Sequence, residues 1–155
     1  MNCIAIGLSL IFHAIFGTYS RQMVHKCEIR VRYSDTDQMQ RLHHGAYVDY
    51  LEVARIEMLR DLGISYAQLE ERGYALPVIR LNIEYLGAAS YDEIVTFKTK
   101  VQCTSPVRMR FDYELYVNGE TIARAIVELA CINIETFRPT RMPVELVAQL
   151  REVSS

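Results

Sequence analysis

The segment from Ala46 to Leu62 carries apolar residues at every third or fourth position. This spacing predicts one long helix, and the width of its apolar face predicts that the helix is largely enclosed. Gly63 follows at the point where a residue in the left-handed conformation commonly ends a helix. Ser65 and Gln68 then have the spacing of a capping box, which predicts a short second helix.

After the second helix the hydrophobic period changes from about 3.6 to 2, which predicts strands. The strand segments, with one that precedes the long helix, cover residues 26–33, 78–85, 93–103, 110–117 and 120–134. Asn118-Gly119 is typical of a two-residue hairpin turn, in which both residues adopt positive φ. Short connections predict that the four late strands form an antiparallel meander. A terminal helix is predicted to start at Pro143.

One helix has to cover the apolar face of this sheet, and only the segment 46–62 is long enough. The chain therefore predicts an α+β hotdog fold, in which a curved antiparallel five-stranded sheet wraps around one long central helix. The 155 residues suit a single domain, which is predicted to span residues 23–155.

Residues 1–22 are predicted to be an apolar N-terminal extension of this domain. The apolar run from Cys3 to Phe16 is too short for a comfortable transmembrane helix. It lacks the early basic residues and the cleavage site of a signal peptide. The sequence from Met23 is typical of a protein start, which favours a start codon assigned too early. A targeting or membrane-touching peptide and a packed helix stay open as alternatives.

Net charge and cysteine spacing restrict the partners and the compartment. The formal net charge is −2 and no basic block is present, which argues against nucleic acid as a partner. The four cysteines form no CxxC pair, which disfavours zinc and predicts free thiols in a reducing compartment. The protein is therefore predicted to be cytoplasmic, without a metal, a cofactor or a stable membrane association.

A group of titratable side chains directly precedes the long helix, in the sequence DTDQMQRLHHG from Asp35 to Gly45. A D-x-D pair alone is more often a loop feature than a site, and Asp35 is predicted to be an acceptor that organises the loop. Adjacent histidines such as His43 and His44 rarely face the same ion, so no metal site is predicted.

In its wider context, RVRYSDTDQMQRLHHGAYVDYLEVARIEMLRDLG resembles the opening of the 4-hydroxybenzoyl-CoA thioesterase family of hotdog enzymes. The matching positions combine a strand end, a D-x-D pair and a histidine-to-tyrosine segment that leads into a helix with E-x-A-R. They are Tyr33, Asp35, Asp37, His44, Tyr47, Glu52, Ala54 and Arg55. The resemblance covers residues 26 to about 138. Gln40 stands where that family often has glycine, and His43 stands where it commonly has an aromatic residue. Both differences are expected to affect the acyl pocket.

This resemblance implies an acyl-CoA thioesterase, a hydrolase that converts a thioester to the free acid and CoA. It implies that Asp37 is the nucleophile or the general base. The backbone N–H groups of His44 and Gly45 would be the oxyanion donors, because the first turn of a helix has unpaired N–H groups and a partial positive charge. The His44 side chain orients water or substrate, or only bonds locally. Tyr47 belongs to the core or to the pocket wall.

The same resemblance predicts how the substrate and a partner chain are held. Such enzymes often place basic residues between the third and fourth strands to face the CoA phosphates, and Arg108 and Arg110 are the candidates here. The family builds its active sites between two protomers, which predicts a homodimer or a homotetramer. Two alternatives stay open: a thioesterase whose acyl group is carried on acyl carrier protein, and a non-catalytic module that binds acyl-CoA.

Overall fold

The strands and helices are defined by a computed structural model, which describes residues 4–5 and 23–154. The strands within these ranges are β1 (Ile4–Ala5), β2 (His25–Arg30), β3 (Tyr74–Ala75), β4 (Val78–Tyr85), β5 (Ile94–Ser105), β6 (Arg108–Val117), β7 (Glu120–Ala130) and β8 (Ile132–Asn133). The helices are α1 (His44–Asp61), α2 (Tyr66–Glu71) and α3 (Val144–Ser154), and Tyr33–Asp35 form a 3-10 turn.

Six of these strands form one antiparallel sheet in the order β1-β2-β5-β6-β7-β4. Its five long strands, together with α1, confirm the predicted hotdog fold, and the two-residue β1 extends the edge beside β2. The predicted meander is wrong for β4, which pairs with β7 at the far edge instead of with β5. The chain between β4 and β5 therefore crosses one end of the sheet, where Leu42 N–H donates to Ala89 O at 2.7 Å.

Helix α1 buries the apolar face that the spacing of its hydrophobic residues predicts. The buried residues of the helix are Tyr47, Tyr50, Leu51, Ala54, Arg55, Met58 and Leu59. The Tyr50 ring meets Phe97 of β5 edge to face, with 6.4 Å between the ring centroids. The helix begins at His44, two residues before the predicted start, because the side chain of His43 caps it by accepting a hydrogen bond from Gly45 N–H.

Two local signals in the sequence are confirmed, and one strand is shorter than predicted. At the start of α2, Ser65 Oγ accepts a hydrogen bond from Gln68 N–H at 3.4 Å. Asn118 and Gly119 have φ angles of 51° and 86°, as the hairpin turn requires. Strand β7 ends at Ala130 and not at residue 134, because the following residues turn away to pair as β8 with β3.

The predictions for the N-terminus and the cysteines have different outcomes. The predicted extension, residues 1–22, lies outside the described residues apart from β1, so its role stays a prediction. Cys103 and Cys131 are free, as predicted. Cys27 is disulfide-bonded, so the prediction of a free thiol is wrong for that residue. Across residues 4–5 and 23–154, no helix is both long and apolar enough to cross a membrane.

Candidate active site

Asp37 lies in a tight hairpin between β2 and α1. Its N–H donates to Arg41 O and its carbonyl accepts from Gln40 N–H, both at 2.9 Å. The Oδ1 atom of Asp37 accepts from the N–H groups of Met39 and Arg41 at 2.8 and 3.2 Å. Its Oδ2 atom has no hydrogen-bond partner among the described residues, and the side chain is partly exposed. One oxygen therefore fixes the carboxylate, and the other is open to substrate or water.

Gln40 stands where the resembling family often has glycine. Its φ is 59°, in the left-handed region that favours glycine. The backbone of the hairpin therefore has a conformation suited to glycine, although the residue at this position is glutamine. A shallow depression of about 320 Å³ lies beside it, lined by Met39, Arg41, Ser90 and Tyr91. Gln40 thus shapes the surface next to Asp37.

The N-terminus of α1 follows the hairpin and carries the two N–H groups predicted as oxyanion donors. Gly45 N–H donates to His43 Nδ1 at 3.0 Å. His44 N–H has no acceptor within the part of the chain that the structure describes. It lies at the positive end of an 18-residue helix, which favours a negatively charged oxygen. The two N–H groups thus differ: that of His44 is open, and that of Gly45 is already engaged.

The contact between His43 and Gly45 predicts opposite effects on stability and on rate. His43→Phe keeps an aromatic ring but removes the cap, so the free energy of unfolding in urea should fall by about 1 kcal/mol. The same change releases Gly45 N–H. We therefore expect kcat for acyl-CoA hydrolysis to rise by about twofold to fivefold, the equivalent of one weak hydrogen bond.

His43→Asn is the matched control for this prediction, because asparagine caps helices well. We expect it to keep the wild-type stability and rate. A His43→Phe variant as stable as the wild type would show that the contact is not a cap. An unchanged or lower kcat in a folded variant would show that Gly45 N–H does not serve the reaction.

Asp35, the first member of the D-x-D pair, is buried and fully engaged. Arg32 donates to both carboxylate oxygens at 2.8 Å, and the Tyr50 O–H donates to Oδ2 at 2.6 Å. The hydrogen bonds from Arg32 lower the pKa of Asp35. Burial, together with the Asp35 carboxylate, raises the pKa of Tyr50 to about 12. The predicted role of Asp35 as a loop-organising acceptor is confirmed.

Two tyrosines connect the N-terminus of α1 with the outer edge of the sheet. Tyr47 is 3% exposed, and its ring meets that of Tyr85 edge to face at 5.1 Å between centroids. The Tyr85 O–H donates to His44 O at 3.4 Å. Sequence reasoning did not name Tyr85 as a site residue. Its only signal was the alternation of β4, which gives no information about what the strand end contacts.

Strand β4 is the outermost strand on this side of the described sheet, and its apolar side chains are exposed. Val78, Ile79, Leu81 and Tyr85 are between 39% and 48% exposed. An apolar strand edge is a liability in water unless another chain or element covers it. Because Tyr85 contacts His44, the N-terminus of α1 borders a surface that a second chain can cover.

Arg108 and Arg110 lie at the opposite end of the sheet from Asp37. Arg108 is the first residue of β6. The Asp37 hairpin lies beside the start of β5, and the start of β5 pairs with the last residues of β6. Strand β6 has ten residues, so the two ends are about 30 Å apart at about 3.3 Å per residue. Arg110 is also paired with Asp112 at 2.6 Å. One protomer therefore does not bring these arginines to Asp37.

The arginine end of the sheet also holds a groove between β5 and α3. Its volume is about 750 Å³, and its lining includes the apolar side chains of Met142, Val144 and Val147. Arg141 and Arg151 stand on the same groove. Apolar walls with a few charged groups are typical of sites for small molecules. The groove suits an anionic ligand with a flat or apolar part.

The two adjacent histidines have a different arrangement from that of a metal centre. The rings of His43 and His44 lie 4.1 Å apart between centroids, and His43 caps the helix. Among the residues that the structure describes, no three His, Cys, Asp or Glu side chains are grouped to hold a metal ion.

The curved antiparallel sheet and the central helix define a hotdog fold. The family model of the thioesterase-like superfamily matches residues 31–150, and the chain belongs to this superfamily. The predictions of the fold and of the family are therefore confirmed.

Individual relatives agree with this assignment. YneP of Bacillus subtilis is 33% identical over 117 residues, which cover 75% of this chain and 85% of the relative. The acyl-CoA thioesterase YbgC of Haemophilus influenzae is 32% identical over 121 residues, which cover 77% and 89%. The crystal structure of DHNA-CoA thioesterase from Staphylococcus aureus has a TM-score of 0.78 and 34% identity, covering 84% of this chain and 92% of that one. The prediction of a thioester hydrolase is confirmed.

Proposed function

We propose that this protein hydrolyses an acyl-CoA thioester to the free acid and CoA, with Asp37 as the catalytic carboxylate. The class of reaction follows from the family and from the acyl-CoA thioesterases among its relatives. The assignment to Asp37 is carried by one observation. Its carboxylate is fixed through Oδ1, has an open Oδ2, and sits in the hairpin that leads into the N-terminus of α1.

The proposed chemistry uses the open oxygen of Asp37 and the first turn of α1. Asp37 Oδ2 attacks the thioester carbon, the C–S bond breaks, and the CoA thiolate takes a proton from water; a second water then hydrolyses the mixed anhydride. In the other route, Asp37 removes a proton from a water molecule that attacks the carbon directly; the C–S bond then breaks, and the CoA thiolate takes up the proton held by Asp37. In both routes His44 N–H, and Gly45 N–H after release from His43, donate to the oxyanion.

We further propose that the active site is completed by a second copy of the chain that pairs along β4. A two-fold axis perpendicular to the sheet makes two copies of the same edge strand antiparallel. The Tyr85 end of β4 lies at His44, and the Val78 end lies near Arg108. Pairing would therefore bring the arginine end of the partner beside the Asp37 end of this protomer.

This arrangement gives a role to the predicted substrate-binding arginines. In the partner, β6 lies two strands from β4, about 10 Å at the usual strand spacing. Arg108 is exposed, and no ion pair of its side chain is found among the described residues. We propose that Arg108, with Arg110 and the groove of Arg141 and Arg151, holds the phosphates and the adenine of CoA. The dimer would be the smallest active unit, and tetramers would be pairs of such dimers.

A panel of thioesters tests this function. With purified protein and a reagent that traps free thiols, we expect rapid release of CoA from at least one straight-chain or aromatic acyl-CoA. The same acyl group on acyl carrier protein should react at least about tenfold more slowly in kcat/KM, because the carrier lacks the adenine and its phosphates.

Other results of this panel would contradict the proposal. Faster reaction of the carrier-bound substrate would favour a carrier-protein thioesterase. Tight binding of acyl-CoA without thiol release would favour a non-catalytic binding module. Light scattering on the same sample should give a dimer or a tetramer, and a monomer that is active would contradict the shared site. We also propose the cytoplasm as the compartment; the free thiols of Cys103 and Cys131 support it, whereas the disulfide of Cys27 argues against it.

A further inference from the structure

We propose that Asp35 is a positioning residue, which holds the Asp37 hairpin and the N-terminus of α1 in one fixed relation. This inference rests on the function proposed above, in which Asp37 Oδ2 and His44 N–H act on the same thioester carbonyl. Those two groups belong to different elements. Their relative position therefore depends on what connects the hairpin with the helix.

The side chain of Asp35 connects the hairpin with the body of α1. Arg32 approaches from the chain before the hairpin and donates to both oxygens of Asp35 at 2.8 Å. Tyr50, two turns into α1, donates to Oδ2 at 2.6 Å. Asp35 is 8% exposed and Tyr50 is fully buried, so water does not easily replace the bond between them.

The main chain of Asp35 connects to the first residue before the helix. Asp35 O accepts a hydrogen bond from His43 N–H at 2.8 Å. His43 directly precedes His44, whose open N–H is the proposed oxyanion donor. Asp35 is also two residues before Asp37 in the chain. One residue thus holds both ends of the hairpin, and it is anchored to the helix that carries the oxyanion donor.

Positioning of this kind has a large effect on rate and a small effect on substrate binding. A displacement of about 1 Å at the reacting atoms can lower a rate by about 100-fold. Asp35 and Tyr50 offer almost no exposed surface to CoA, since they are 8% and 0% exposed. Loss of the connection should therefore lower kcat and leave KM nearly unchanged. A residue that supported only the fold would instead change the amount of folded protein.

The test uses Asp35→Asn and Tyr50→Phe in the full chain, with the acyl-CoA that reacts best in the panel. We expect kcat to fall by about 10-fold to 100-fold in each variant, with KM within about twofold of the wild type. The double variant should lose little more than the stronger single variant, because both changes break the same connection. Arg32→Lys keeps the charge but loses the two-point contact. Its kcat should therefore lie between that of Asp35→Asn and that of the wild type.

Two matched controls make the same chemical changes elsewhere. Asp92→Asn removes a carboxylate that pairs with Arg30 at 3.1 Å, and Tyr116→Phe removes a hydroxyl that donates to Glu114 at 2.7 Å. Both should keep the wild-type kcat. All rates are expressed per folded molecule, with the folded fraction measured by circular dichroism at the assay temperature.

The outcomes separate this inference from the function on which it rests. Asp35→Asn and Tyr50→Phe variants with wild-type kcat per folded molecule would overturn the positioning role, while an inactive Asp37→Asn variant would leave the function intact. A rise in KM at constant kcat would also overturn it. An Asp37→Asn variant that keeps its activity would instead overturn the proposed function.

Discussion

Asp37→Asn should lower kcat for acyl-CoA hydrolysis by about 1000-fold, because an amide neither attacks the thioester carbon nor accepts a proton from water. The fold should be unaffected. The two backbone N–H groups at the hairpin, those of Met39 and Arg41, donate to Asp37 Oδ1, and an asparagine oxygen can accept both. The measurement is steady-state thiol release, together with the urea unfolding curve of each variant.

The matched control for this change is Asp92→Asn, which removes a carboxylate from another loop, where it is exposed. It should react at the wild-type rate. If Asp37→Asn kept more than about a tenth of the wild-type kcat, Asp37 would be neither the nucleophile nor the general base. A KM increase with normal kcat would assign Asp37 to binding alone.

Two inactive variants should restore activity when they are combined in one oligomer. The first is Asp37→Asn, and the second is the pair Arg108→Ala and Arg110→Ala, which should lower kcat/KM by about 100-fold through weaker binding of the CoA phosphates. In the proposed dimer, each site takes Asp37 from one protomer and the arginines from the other. A mixed dimer therefore contains one complete site and one site with both defects.

The mixed dimer can be isolated by co-expression with two different affinity tags. We expect about half of the wild-type kcat/KM per dimer, because one of its two sites is complete. A mixed dimer as inactive as its parents would place Asp37 and the arginines in the same protomer. As a second check, Ile79→Lys with Leu81→Lys should give a monomer without hydrolytic activity, since charges on β4 prevent pairing of the edge.

The long helix was the element best predicted by the sequence, and its packing explains why. Residues that recur every three or four positions from Tyr47 to Met58 have only one way to bury a continuous face. The start of the helix was predicted two residues late. That boundary depends on the His43 side chain, which turns back to Gly45 N–H, and histidine is not among the residues that normally signal a cap.

The position of β4 could not be predicted from its own pattern. Alternation assigns residues to the two faces of a strand but does not identify the neighbouring strand. Strand β5 pairs with β2 from Arg30 to His25, so β4 is left to pair with β7. The pairing of β4 with β7 places Tyr85 at His44 and leaves the apolar edge of β4 exposed. The proposed dimer depends on that edge.

The candidate site likewise contains some residues that the sequence predicted and others that it did not. Asp37, His44 and Gly45 follow one another within nine residues, and a resemblance to a known family could identify them because the motif is local. Tyr50 and Tyr85 were not predicted as site residues. Tyr50 contacts the site from two turns along α1, and Tyr85 contacts it from the end of β4. Arg108 and Arg110 were predicted to bind the substrate. Their separation from Asp37 became apparent only from the register of the strands.

The sequence by itself determined the central helix, the strand segments, the hairpin turn at Asn118 and the family to which the chain belongs. Each of these depends on residues that are near neighbours along the chain, so short-range spacing is sufficient. Only the tertiary structure decided the order of the strands, the engagement of Gly45 N–H and the anchoring of Asp35 by Tyr50. These features arise from contacts between distant segments, in which backbone pairing and burial select one arrangement among several that the same local pattern allows.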